Sequence, residues 1–180
     1  TKEARGLPLV TAFSWDTGVQ VTTGLRAVGL TASVTNGSAS NPRVADDNSV
    51  KQAASRGTVT PVTGLVLGSS FSRGQFLSRE VVNAMPDAGR TDFVQRAYGL
   101  DAEYSRDRGL VRGDAVLSQW QLPLPLEPLT HGRLKALAVA VEGRYSIMAG
   151  VYAAARVEHL AFNRIAGTSV VRAWDAPVSR

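Results

Sequence analysis

The chain has 180 residues, the size of one domain, and its lack of cysteine excludes disulfides, zinc–thiolate sites and thiol catalysis. No apolar run reaches the about 18–20 residues of a membrane helix, which excludes a helical span. A formal net charge of +5 would suit nucleic acid, an anionic membrane surface or acidic solutes. The arginines are scattered, however, and nucleic-acid binders gather their basic residues on one face, so nucleic acid is a poor candidate.

Residues of alternating polarity predict β-strands through most of the chain, because successive side chains of a strand point to opposite faces. Residues 1–17 are ambiguous, since Pro8 argues against an inner position in a hydrogen-bonded ladder. The predicted strands are 18–26, 30–35, 50–58, 65–71, 98–105, 110–118, 134–147, 151–162 and 169–176. Such a succession of strands favours an all-β, antiparallel meander.

The clearest alternation runs through residues 134–162, which contain two strands and one turn. Both strands exceed the about 5–6 residues usual in soluble proteins and match the about 9–11 residues with which a tilted strand crosses a bilayer. The turn would pair Ile147 with Val151 and would place Glu142 opposite Arg156 on the polar side. Opposite charges at such positions stabilise a sheet, so this stretch predicts a long amphipathic hairpin.

A second hairpin is predicted around a turn at 106–109. Its register would set Glu103 opposite Arg112 on the polar side. The next pair on that side would join Asp101 to Asp114, which is unfavourable because both carry negative charge. Arg112 would lie diagonally within reach of Asp101 and would relieve the repulsion.

The predicted connections alternate in length along the chain. Short ones are expected at 27–29, 59–63, 106–109 and 148–150, and long ones at 37–49, 74–95 and 121–134. Short turns on one rim and long loops on the other are typical of outer-membrane β-barrels. Nine strands is an odd number, whereas bacterial single-chain barrels normally have even counts. We therefore expect residues 1–180 to form a single β-barrel domain that is part of a longer barrel.

Seven short segments support this interpretation by their succession. They are TNGS (35–38), GLVLGSS (64–70), YGLDAEYS (98–105), VRGD leading to SQW (111–120), VEGRY (141–145), AARVE (154–158) and WDAPV (174–178). In this order they resemble the porin-like outer-membrane β-barrels of Gram-negative bacteria, related to the phosphate-selective porin group. The resemblance implies a barrel of about sixteen strands when complete, which passes solutes passively, lies in outer-membrane lipid and often works as a homotrimer. The chain is shorter than such a porin and lacks a terminal aromatic residue, which further strands after Arg180 would explain.

For a pore, the candidate functional residues are the charged side chains of the polar sides, because rings of charge in a lumen bias ion passage. We predict that the lumen is lined by Arg26, Asp101, Glu103, Arg112, Asp114, Glu142, Arg144, Arg156 and Glu158. The alternative is that these residues form salt-bridge ladders that stiffen the wall. Arg144 and Arg26 have no obvious opposite charge and are the better candidates for exposed lumen charge.

The opposite side of the strands would face lipid. Its predicted members are Leu100, Tyr104, Leu117, Val139, Val141, Tyr145, Val151 and Val157. Four aromatic residues near strand ends, Tyr98, Tyr104, Trp120 and Tyr145, are typical of the aromatic girdles of membrane barrels. The same pattern would also suit core packing in a soluble barrel.

The sequence gives little support for a catalytic function. His131 follows a proline-rich stretch, His159 falls among apolar positions, and neither has the spacing of a metal ligand. Residues 68–72 are similar to a nucleophile elbow but lack its final glycine. No glycine-rich loop carries the lysine of a phosphate cradle. We therefore expect no enzyme activity, no catalytic residue, no cofactor and no metal site.

These patterns together predict a passive channel of the bacterial outer membrane that selects small solutes or ions by lumen charge. The basic excess of the chain favours anions. Two alternatives stay open: a soluble or periplasmic, lipocalin-like β-barrel that binds a small apolar ligand, and a plugged barrel that scaffolds an envelope complex. Extraction separates the first alternative, because only a spanning barrel needs detergent.

Overall fold

The computed structural model describes residues 15–39, 50–83, 93–123 and 131–163. Within them the chain forms one sheet of eight antiparallel strands, arranged in the order of the sequence. The elements are β1 (Gly18–Leu25), β2 (Val28–Thr35), β3 (Gln52–Val62), β4 (Leu65–Gln75), α1 (Arg79–Asn83), β5 (Val94–Arg106), β6 (Gly109–Pro123), β7 (His131–Met148) and β8 (Val151–Phe162). The predicted all-β antiparallel meander is confirmed, and the predicted strand at 169–176 lies outside the described residues.

Two-residue turns and longer connections alternate along the meander, as predicted. The turns lie at 26–27, 63–64, 107–108 and 149–150, and the longer connections at 36–51, 76–93 and 124–130. Gly64 and Gly150 adopt φ angles of 86° and 79°, which residues with a Cβ rarely reach. All four turns therefore lie along one edge of the sheet, and the strand ends that border the longer connections lie along the other.

The strand registers follow the sequence pattern closely. Glu142 pairs with Arg156 as predicted, because the alternation of polar and apolar residues fixes which face each residue takes. The prediction was wrong beside the turn, where Met148 rather than Ile147 pairs with Val151. The turn has two residues instead of three, and a shift of register just before Met148 absorbs the difference.

The strands extend further toward the longer connections than the alternation predicts, since β6 has 15 residues and β7 has 18. The reason is that the polarity of the two faces is exchanged there. On β6, Gln119 lies on the otherwise apolar side and its neighbour Trp120 on the otherwise polar side. On β7, Lys135 and Leu134 show the same exchange. On β6 a search for constant alternation therefore ends the strand too early, at Ser118.

The sheet has two faces of opposite character, which we call the polar face and the apolar face. The apolar face carries, among others, Val21, Leu30, Leu67, Leu100, Val111, Val141 and Val157, all of them exposed. The polar face is better shielded: the side chain of Asp101 is 28% exposed, whereas its neighbour Leu100 is 67% exposed. The sheet is thus curved around its polar face.

The sheet is open in the part of the chain that the structure describes, where β1 and β8 each pair with only one neighbour. β1 is exposed along its whole length, and β8 is exposed from Val151 to His159. No helix within the described ranges is long and apolar enough to cross a membrane.

Candidate functional site: the charges of the polar face

Four charged residues lie side by side on the polar face, one on each of four neighbouring strands. This charged row consists of Glu103 on β5, Arg112 on β6, Glu142 on β7 and Arg156 on β8. Arg112 Nη2 lies 3.0 Å and Arg156 Nη1 lies 3.3 Å from Oε2 of Glu142. Arg156 also pairs with Glu158 on its own strand. Alternating charges on directly opposed residues stabilise the pairing of these strands.

The charges of this region are unevenly paired. Arg112 donates its hydrogen bonds to both carboxylate oxygens of Glu142, at 3.1 and 3.0 Å. Glu103 stands opposite Arg112 as predicted but has no hydrogen bond or ion pair with any described residue. Asp114, directly opposite Asp101, likewise has no such partner in the described ranges. Two carboxylates of this face are therefore left to interact with solvent or solute.

Asp101 is neutralised by a residue that the sequence pattern did not indicate. Arg56 on β3 reaches across β4 and donates two hydrogen bonds to the Asp101 carboxylate, at 2.6 and 2.7 Å. Gly68 lies beneath this pair: a Cβ there would lie 2.5 Å from Asp101 Oδ2 and 2.7 Å from Arg56 Nη2. Bidentate arginine–carboxylate pairs combine strength with fixed geometry. Glycine at position 68 thus makes room for a link between strands that are not neighbours.

The two arginines predicted to carry free charge occupy different places. Arg144 lies on the polar face with its Cζ 4.3 Å from the centre of the Tyr152 ring, a distance at which the cation is attracted by the ring. Arg26 lies in the turn between β1 and β2, where its φ angle is 51°. Arg26 therefore belongs to the edge of the sheet and not to the strand surface beside the charged row.

Small side chains next to these charges leave a shallow cavity of about 320 Å³ on the polar face. Its lining includes Thr31, Ser33, Ala54, Ser70, Ser72, Ala97 and Gly99. Hydroxyl groups supply hydrogen-bond donors and acceptors with little bulk, and Arg56 borders the same cavity. This part of the face thus has room for hydrated ions or small polar solutes.

The end of the polar face nearest the longer connections is apolar instead. Trp120, Leu134 and Ala136 are only 2%, 5% and 3% exposed. They form the apolar cluster, together with the partly buried Phe76, Leu122, Leu160 and Phe162. Trp120 was expected near lipid in an aromatic girdle, and this prediction was wrong, because the exchange of polarity on β6 buries it on the polar face.

The balance of charge on the described polar face is close to neutral. Its charged side chains are Arg56, Arg112, Arg144, Arg156, Asp101, Glu103, Asp114, Glu142 and Glu158. The basic excess of the whole chain is therefore located elsewhere. The preference for anions stays a prediction, and the charges described on this face do not favour it.

The histidine and serine candidates for chemistry lie in strands. His159 is on the apolar face opposite Val139, and residues 68–72 lie within β4 instead of the strand-to-helix turn that a nucleophile elbow requires. In the described ranges, no three His, Cys, Asp or Glu side chains are gathered as ligands for a metal ion. The polar face thus offers fixed charges and space for solutes.

Comparisons of the chain with protein-family models, with curated proteins and with solved structures find no match. The porin-like family named above therefore stays an expectation. The case for a function depends on the geometry of the two faces.

Proposed function

We propose that the chain forms part of the wall of a transmembrane β-barrel in a bacterial outer membrane and acts as a passive channel for small solutes and ions. The apolar face lies against lipid in this arrangement, and the polar face lines the lumen. Selection depends on the fixed charges of the polar face, since no bond is made or broken as a solute passes.

The single observation that carries this proposal is the orientation of the two faces. A half-buried sheet in water packs its apolar face in a core and exposes its polar face. Here Val141 is 52% exposed and Val157 is 74% exposed, whereas the side chain of their neighbour Glu142 is only 22% exposed. A continuous apolar surface of this kind favours a lipid or protein environment. A soluble barrel around an apolar ligand would need the two faces exchanged.

The height of the apolar face supports a membrane-spanning role. On β5 it extends from Arg96 to Arg106, and the described residues of this face between them are uncharged. Ten steps at about 3.3 Å give a strand length of about 33 Å. At the tilt of 35–45° typical of membrane barrels, this corresponds to about 25 Å, the height of their apolar band.

Two adjacent serines on β4 offer a matched test, because the chain has no cysteine of its own. Ser69 lies on the apolar face opposite Leu100, and Ser70 lies on the polar face opposite Gly99. The variants Ser69→Cys and Ser70→Cys are reconstituted in lipid vesicles and treated with a charged, membrane-impermeant maleimide. We expect Ser70→Cys to be labelled at least about tenfold faster, because water reaches the lumen and not the lipid-facing side.

Labelling of both variants after unfolding in urea supplies the control and should proceed at the same rate, because both thiols can then ionise in water. Fast labelling of Ser69→Cys by the charged reagent, in a protein that stays dissolved without detergent, would overturn the proposal in favour of a soluble barrel. Conductance across planar bilayers separates an open channel from a plugged barrel that scaffolds an envelope complex.

A further inference from the structure

A row of basic side chains crosses the apolar face at its border with the longer connections. Arg73 on β4 is directly opposite Arg96 on β5, which is followed by Gln119 on β6 and Lys135 on β7. We call Arg73, Arg96 and Lys135 the basic row. Together with Gln119 these residues span four adjacent strands, which are spaced about 4.8 Å apart. Arg133 is two residues from Lys135 on β7 and adds a fourth cation to the same border.

No acidic side chain in the described ranges neutralises the charges of the basic row. None of its three side chains has a hydrogen bond or an ion pair within the described ranges. Like charges at directly opposed positions destabilise a sheet, so the pairing of Arg73 with Arg96 is unfavourable in isolation. An anion bound between the two guanidinium groups would remove this repulsion and form charge-assisted hydrogen bonds.

The opposite edge of the sheet is different. Arg106 lies beside the carboxylate of the next residue in the chain, with its Nε 3.8 Å from Oδ2 of Asp107. Arg108 donates a hydrogen bond of 3.1 Å to the backbone oxygen of Ile147. Arg106 and Arg108 thus have partners within the chain, whereas the side chains of the basic row have none within the described ranges and are open to a partner from outside.

The surroundings of the basic row favour a ligand that is part anion and part hydrocarbon. One step along the apolar face toward the turns lie Phe71 and Tyr98, whose ring centres are 5.2 Å apart. Leu117 and Leu137 continue this level on β6 and β7, so apolar side chains begin directly beneath the cations. A free phosphate would use only the cations, whereas a lipid would also place its acyl chains against the apolar side chains.

We propose that the basic row binds the phosphate groups of a phosphorylated lipid in the leaflet on the side of the longer connections. The inference rests on the proposed membrane-spanning role of the apolar face. In outer-membrane barrels the longer loops are extracellular, which places the row at the headgroups of the outer leaflet. Its chemical partner there is a phosphorylated glycolipid, with the phosphates between Arg73, Arg96 and Lys135 and the acyl chains below them.

Native mass spectrometry of the full chain in a non-ionic detergent tests this inference. The probes are diphosphorylated lipid A, the same glycolipid without phosphates, and phosphatidylcholine. We expect the diphosphorylated form to bind at least about tenfold more tightly than either other lipid. The double variant Arg73→Gln/Arg96→Gln should lose about thirtyfold in that affinity, since two basic residues at a membrane surface together contribute about 2 kcal/mol and 1.4 kcal/mol corresponds to tenfold.

The control is Arg106→Gln, which removes one cation from the opposite edge and should leave the affinity for diphosphorylated lipid A unchanged. Far-ultraviolet circular dichroism checks that each variant keeps its strands. Equal binding of the phosphorylated and phosphate-free glycolipids, or equal losses in the double variant and in Arg106→Gln, would overturn the inference. Displacement of the lipid by millimolar inorganic phosphate would also overturn it, because the ligand would then be the free anion.

The outcome is independent of the channel measurement. A phosphate-dependent preference that is lost in the double variant supports the inference even if the protein conducts no ions, which would contradict only the proposed channel. Conductance without any lipid preference would leave the channel in place and would overturn the lipid site.

Discussion

The two ends of the polar face are built from the same strands and are held together by different forces. Near the two-residue turns, the charged row brings Arg112 and Arg156 to 3.0 and 3.3 Å from the same carboxylate oxygen of Glu142. Near the longer connections, Trp120 and Leu134 are almost completely buried in the apolar cluster. Ion pairs with half-exposed arginines contribute little to stability, whereas desolvated aromatic side chains contribute several kcal/mol. The comparison teaches that one end sets the charge of the polar face and the other stabilises the sheet.

The largest effect on stability should follow from a substitution in the apolar cluster. Trp120→Ala removes a side chain that is 2% exposed and leaves a cavity in the apolar cluster, which we expect to lower the free energy of unfolding by about 3–5 kcal/mol. Urea titration of the reconstituted protein measures this. Trp15→Ala is the control, because Trp15 is 73% exposed and its loss should change the free energy by less than about 0.5 kcal/mol. Equal losses would mean that the cluster does not stabilise the sheet.

A smaller effect is expected at the charged end. In Gly68→Ala the added methyl displaces the Arg56–Asp101 pair, which should lower the free energy of unfolding by less than about 1 kcal/mol, since that pair is partly exposed. Gly143→Ala adds the same methyl where no atom lies within 4 Å, and it should stabilise the protein by about 0.4–1 kcal/mol through the unfolded state. The same titration compares the two. A stabilised Gly68→Ala would show that the pair tolerates the methyl.

The smallest effect on stability, and the clearest on selectivity, should come from Asp114→Asn. Asp114 has no ion pair among the described residues, so its removal changes the charge of the face without leaving an arginine unpaired. We expect the reversal potential in an asymmetric salt gradient to move toward anions, and the free energy of unfolding to rise by at most about 0.5 kcal/mol because the repulsion from Asp101 is removed. Asp107→Asn is the matched control in a turn, where a carboxylate that is 88% exposed should have little influence on the charge of the polar face. A shift of the same size in both variants would place the selective charges outside the polar face.

Much of the fold follows from local sequence patterns. Alternation and short turns fix which residues oppose each other, so the pairing of Glu103 with Arg112 and of Glu142 with Arg156 is readable from the sequence. The sequence does not show, however, which of the nearby carboxylates an arginine binds. Arg112 stands between two glutamates in the charged row and binds Glu142, which belongs to the next strand pair and lies 30 residues away.

Two further features of the structure cannot be predicted when each hairpin is considered separately. Arg56 finds Asp101 45 residues away by crossing a strand at Gly68, a link that depends on the curvature of the whole sheet. The basic row and the burial of Trp120 arise because the polarity of the faces is exchanged near the longer connections. A pattern that assumes constant alternation leaves Arg73, Arg96 and Trp120 outside the predicted strands.

The strictly sequential order of the strands also has a consequence for how the protein folds. Every pairing in the sheet joins strands that follow each other in the chain, and four of the pairings are closed by two-residue turns. Hairpins of this kind form in about 1–10 μs, because little chain entropy is lost in closing them. Each finished hairpin then presents a free edge to the next one. The sheet can therefore grow two strands at a time, and within the described ranges no strand has to be inserted between two others.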